Sequence, residues 1–129
     1  MSHISRISLK ITDLDALAKA AERCGLELVR GKTTYRWYEG DGQCEHALVQ
    51  RKQLALNYEI GLTKAEDGSW EMHWDSYDER LANAVGGQDA AKLKQEYGAS
   101  VATAQLYKLG MRVNRYVTSD GRIVVEGVS

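Results

Sequence analysis

Glu71, His73 and Asp75 stand at i, i+2 and i+4 in a segment that alternates with Trp70, Met72 and Trp74. In a strand that spacing puts all three polar side chains on one face, about 7 Å from one to the next. Two carboxylates and an imidazole can hold a metal with outside help, or grip a polar ligand. Neighbours so far apart close no site unaided. A third polar partner is therefore expected from another segment, with Arg36, His46 and His3 as candidates. Asp75 ends the strand, where a side chain can turn into a cleft. The same pattern also describes a solvated sheet face opposite Trp70, Met72 and Trp74.

Other residues could bind. Met1-Ser2-His3 puts an imidazole at the spacing from which a free amino terminus takes Cu(II) or Ni(II) in a square plane. Small Ser2 favours removal of Met1, which changes that spacing, and His3 could equally cap a first strand. Tyr35, Arg36, Trp37 and Tyr38, with Arg30, make an aromatic and basic cluster of the kind that stacks bases and holds phosphates. Such a cluster equally describes a half-buried strand whose Arg stems cover apolar surface. Trp37 and Trp74 are the candidate aromatic anchors for a partner. Cys24 and Cys44 are the only cysteines. Without a C-x-x-C they read as free thiols, and their spacing to His46 and His73 does not suit zinc. No metal or other cofactor is expected. The chain has no G-x-x-x-x-G-K-[ST], G-x-G-x-x-G, G-x-S-x-G or H-E-x-x-H, which weakens an enzymatic reading.

Composition narrows the classes. The chain has 129 residues, with Lys+Arg 17 against Asp+Glu 18, a net charge of -1 and a pI near 6.3. A grip on duplex DNA through phosphate neutralisation leaves a basic excess that is missing here. An anionic membrane surface is an equally poor match. No apolar run is long enough for a spanning helix, and residues 1–10 lack the apolar core of a signal peptide. A cytoplasmic protein without duplex-DNA or membrane partners is expected. There is no Pro and no Phe. Turns therefore fall to Gly, Asp, Asn and Ser, and the aromatic load falls to Trp and Tyr.

The elements that must carry these residues are legible from period. Residues 4–11 alternate with Ile7, Leu9 and Ile11 on one face, which predicts a strand. Thr12-Asp-Leu-Asp15 resembles a capping box, and Leu14, Leu17, Ala18, Ala21 and Cys24 form a helical stripe over 13–24 before Gly25. Strand character follows around Gly31, with 39–43 as a turn and strands over 47–49 and 54–62. Residues 64–68 read as a hairpin connection into the alternating 69–75. Residues 76–87 read as a polar linker. A helix over 89–109, with Asp89 as its cap, precedes a closing hairpin around Thr118-Ser-Asp-Gly121. The pattern predicts one α+β domain over 1–129, a mainly antiparallel sheet with two main helices packed on one face.

Several short segments keep a familiar order. Met1-Ser-His-Ile-Ser opens the chain, and Cys24-Gly25-Leu26 closes the first helix. Asp67-Gly-Ser-Trp-Glu-Met-His-Trp-Asp75, Gln95-Glu-Tyr97, Leu109-Gly110 and Asp120-Gly-Arg-Ile123 follow. Together they resemble the uncharacterised family typified by hypothetical chloroplast reading frame thirty-five, which has plastid, cyanobacterial, bacterial and phage members. The resemblance implies a fold and boundaries spanning nearly the whole chain; it implies no reaction. Asp75 matches the family's strand-ending Asp, whereas Ser76 and Tyr77 stand where the family has two Trp.

The function these features support first is a small non-catalytic binding module that docks a protein partner or self-associates. A second reading is a binder of a nucleotide-like or anionic metabolite, in one form a phage protein sequestering a host signal. A third is a metal-assisted hydrolase built on Glu71, His73 and Asp75.

Overall fold

The structure, a computed structural model, describes residues 4–51, 54–75 and 77–129, the side chains of residues 4–9 excepted. It is an α+β domain whose centre is a five-stranded antiparallel sheet. The strands are β1 (Ile4–Ile11), β2 (Leu26–Arg30), β5 (His46–Gln50), β6 (Ile60–Lys64) and β7 (Trp70–Asp75), ordered β1-β7-β6-β5-β2. Two hairpins stand beside it: β3 (Thr34–Trp37) with β4 (Gly40–Gln43), and β8 (Arg112–Val117) with β9 (Ile123–Val128). The helices are α1 (Leu14–Arg23), α2 (Glu79–Val85) and α3 (Ala91–Lys108). No helix among the described residues is long and apolar enough to cross a membrane.

Alternation explains the two faces. Leu48, Ile60, Leu62, Met72 and Trp74 turn to the helices and join Leu17, Ala21, Leu81, Val85, Leu93 and Tyr97 in the main core. One residue out of phase, Ala47 and Gly61 pair in register beneath the β3–β4 hairpin. There Tyr35, Cys44 and Ala47 form a second small core with Trp37 and Val49 packed against it. Of the expected inward residues, Leu17, Ala21, Leu93 and Tyr97 are buried and Val101 is half-buried. Ile7 and Leu9 carry side chains outside the described set.

Helix α1 forms because its apolar stripe meets a working cap. Asp13, rather than Thr12, is the N-cap, and its carboxylate accepts the Ala16 N–H at 3.1 Å. Across the core, the Tyr97 hydroxyl accepts the N–H groups of Thr12 and Asp13 at 3.0 and 3.1 Å. That pins the start of α1 to the middle of α3.

Four sequence expectations fail. The strand expected over 54–62 begins only at Ile60, and 54–59 is not strand. Residues 76–87 are not a linker: α2 lies there, capped by Asp78 and closed by left-handed Gly86. Its signals, Asp78 before Leu81, Ala82 and Val85, are short, and one buried turn gives little periodicity. Asp89 is not the cap of α3. Ala90 takes that position at φ 55°, without a side-chain cap, because its N–H closes a tight turn onto Gly87 at 3.0 Å. Finally, 40–43 is a strand rather than a turn, since Gly42 lets the Tyr35 ring lie directly on the backbone.

Candidate functional site

A cleft of about 710 Å³ lies between α1, α3 and β8. The size falls within the roughly 300–1,000 Å³ of small-molecule sites. Helix α1 contributes Lys19, Glu22 and Arg23, and Arg51 follows the end of β5. Lys19 and Arg23 are one turn apart, so they share a face. Arg51 is placed by its backbone: its N–H donates to the Gly25 carbonyl at 2.9 Å, just past the end of α1. Helix α3 supplies the second wall through Ser100, Thr103 and Tyr107, at i, i+3 and i+7. Val113 and Arg115, both inward on β8, complete it.

Charge is unevenly balanced here. Arg51 Nη1 lies 3.4 Å from Glu22 Oε1, an exposed pair of small net worth. Arg115 is held firmly: Nη1 and Nη2 both donate to the Glu96 carboxylate, at 2.9 and 2.8 Å. Glu96 is 5% exposed, and its hydrogen bonds push the Arg115 guanidinium further toward the protonated state. Among the described residues no carboxylate pairs with Lys19 or Arg23. The cleft therefore presents two uncompensated cations beside two partly compensated ones. It has hydroxyl groups too: Thr103 donates back to the Ala99 carbonyl at 2.7 Å, keeping its lone pairs, while Ser100 has no partner among the described residues.

The residues expected from the sequence go elsewhere. Glu71 and His73 do share a face, with His73 Nε2 3.8 Å from Glu71 Oε2. The third partner of His73 is Thr63 Oγ1 at 2.7 Å, across on β6, rather than Arg36 or His46. Asp75 is not on a solvated face; it is 0% exposed. Its Oδ1 accepts the Tyr77 N–H at 2.9 Å, and among the described residues Oδ2 has no partner. Near it, burial first and then the Asp75 and Asp78 carboxylates push the Tyr58 phenol above its usual range. Among the described residues no three His, Cys, Asp or Glu side chains converge to hold a metal ion.

Trp74 is fully buried under the helices, so it is a core residue and no exposed anchor. Trp37 is half-buried against the second core, and Arg36 is exposed, its N–H donating to Glu59 Oε1 at 2.9 Å. His46 packs tilted against Trp70, ring centroids 4.8 Å apart, and accepts the Gly31 N–H through Nδ1 at 2.8 Å. His3 and Ser76 lie outside the described residues. Cys24 and Cys44 are buried free thiols, and burial raises both, Cys24 to about 11.

The cleft's residues were not singled out by sequence reasoning. Lys19 and Arg23 sit on the polar side of an amphipathic helix, where cations usually only face water. Nothing local signals that α3 and β8 stand opposite them. No family model, no curated protein and no solved structure matches the chain.

Proposed function

We propose that this protein is a non-catalytic binding module for a small anionic ligand carrying phosphate or a similar group, seated in the cleft between α1, α3 and β8. The observation that carries this reading is the pair of uncompensated cations, Lys19 and Arg23, lining this 710 Å³ cleft. Exposed Arg51 exchanges its weak partner Glu22 for a phosphate at little cost. Calorimetric titration with inorganic pyrophosphate tests it. Lys19→Glu and Arg23→Glu should each weaken binding at least about tenfold, with stability held within about 0.5 kcal/mol because both are exposed. Absence of binding to the wild type, or equal binding by both variants, overturns the reading.

A second reading, self-association, draws on exposed Tyr107 and Leu109 at the end of α3 and on exposed Tyr116 and Val117 at the far end of β8. Sedimentation velocity checks it: a dimer that Tyr116→Ser with Val117→Ser dissociates supports it, and a wild-type monomer at high concentration rejects it. Two further attributions stand as proposals. Two buried, unpaired thiols support a cytoplasmic setting. The order of the short motifs supports membership of the family typified by hypothetical chloroplast reading frame thirty-five.

A further inference from the structure

We propose that the ligand of this cleft is a phosphorylated nucleoside, its phosphates between Lys19 and Arg23 and its base on the ring of Tyr107. The proposal rests on the anion-binding reading above and deepens it. The two long walls of the cleft differ in chemistry. The α1 wall is net cationic: Lys19 and Arg23 flank Glu22, whose charge is met by Arg51. The α3 wall carries no charge: it offers an aromatic ring at Tyr107, with the hydroxyls of Thr103 and Ser100 one and two turns back. Val113 adds an aliphatic surface from β8.

A ligand complementary to both walls must be bipolar, anionic at one end and flat, apolar and hydroxyl-bearing at the other. Inorganic phosphate or pyrophosphate satisfies only the α1 wall and leaves most of the 710 Å³ unfilled. A nucleoside phosphate satisfies both. Its charge meets the unpaired cations, its sugar hydroxyls meet Ser100 and Thr103, and its base finds an aromatic face. Tyr107 is 61% exposed, so its ring is open to a stacking partner. Stacking on an aromatic side chain tolerates any base, because every base has a π-face. ADP therefore serves as the probe.

The test is calorimetric titration of the full chain with ADP and, separately, with inorganic pyrophosphate, in the wild type and in Tyr107→Ala and Tyr107→Phe. Wild-type protein should bind ADP at least about tenfold tighter than pyrophosphate, in line with one stacked base. Tyr107→Ala should bring ADP down to the level of pyrophosphate without moving pyrophosphate itself. Tyr107→Phe keeps the ring and should keep the preference. Equal wild-type affinities for ADP and pyrophosphate would overturn the nucleoside and leave the anion site standing. So would a preference for ADP that survives Tyr107→Ala. Failure of both probes to bind would overturn the anion site and this proposal together.

Discussion

The ring of Tyr35 occupies the space that a side chain on Gly61 would need: a Cβ built there would stand 2.3 Å from Tyr35 Cδ1 and 2.7 Å from Cε1. A Cβ built on Gly42, in β4, would likewise stand 2.4 Å from the Cε1 of that ring. One aromatic side chain is thus clamped between two glycines, and this is how the β3–β4 hairpin seats on the sheet. Gly61→Ala must push the ring or the hairpin outward. It should cost about 1–3 kcal/mol, the range for forcing atoms into a filled site, as read by urea denaturation. A neutral Gly61→Ala would show that the hairpin moves aside freely.

Asp78 does two jobs with one carboxylate. Oδ1 accepts the N–H groups of Arg80 and Leu81 at 3.1 and 3.3 Å and caps α2. Oδ2 accepts those of Asn57 and Tyr58 at 2.7 and 3.1 Å and anchors the segment leading into β6. Asp78→Ala loses the cap and leaves buried donors unmet, for a combined cost of about 2–4 kcal/mol. Asp78→Asn keeps one acceptor oxygen but turns its NH2 onto the two N–H donors at the other, so it should recover only part of that cost. A near-neutral Asp78→Asn would show that one pair of these hydrogen bonds is dispensable.

Glu96 and Arg115 tie the β8–β9 hairpin to α3. Glu96→Ala strands a guanidinium that is largely enclosed and should cost about 2–4 kcal/mol. Hydrogen exchange should show the loss first in residues 112–128, while protection in β5, β6 and β7 persists. A uniform loss of protection would show the hairpin and the main sheet to be one cooperative unit.

Asp67 gives a pH signature. Its carboxylate accepts from the Ser69 hydroxyl and backbone N–H at 2.6 and 3.0 Å, and Lys10 lies 3.1 Å away. These hydrogen bonds, Ser69's foremost, hold it far below the usual carboxylate range. The folded state thus favours the charged form. Its stabilisation is fully present above the unfolded value near about pH 4 and fades as pH falls toward the lower folded value. The stability gap between wild type and Asp67→Asn should be constant from pH 5 to 7 and shrink below pH 4. A gap that widens in acid would reverse the assigned direction.

The sequence by itself determined most of the frame. Periods of two and 3.6 are written into local spacing, so α1, α3, β7 and the closing hairpin were legible, as was the α+β class. Trp74 facing opposite to Glu71 and His73 follows from the same alternation. Burial depth was not legible, because it depends on what lies across the sheet. Asp75 and His73 share a face by sequence, yet Asp75 is fully buried and holds the Tyr77 N–H just before α2. Short α2 escaped because one buried turn carries too little periodicity. The cleft was decided only by tertiary structure. Lys19, Arg51, Tyr107 and Arg115 come from four segments spread over most of the chain. What brings them together is the docking of α1 on α3, through the Tyr97 hydroxyl, and the pinning of β8 by Glu96. Those contacts between distant residues leave no local spacing for a sequence to display.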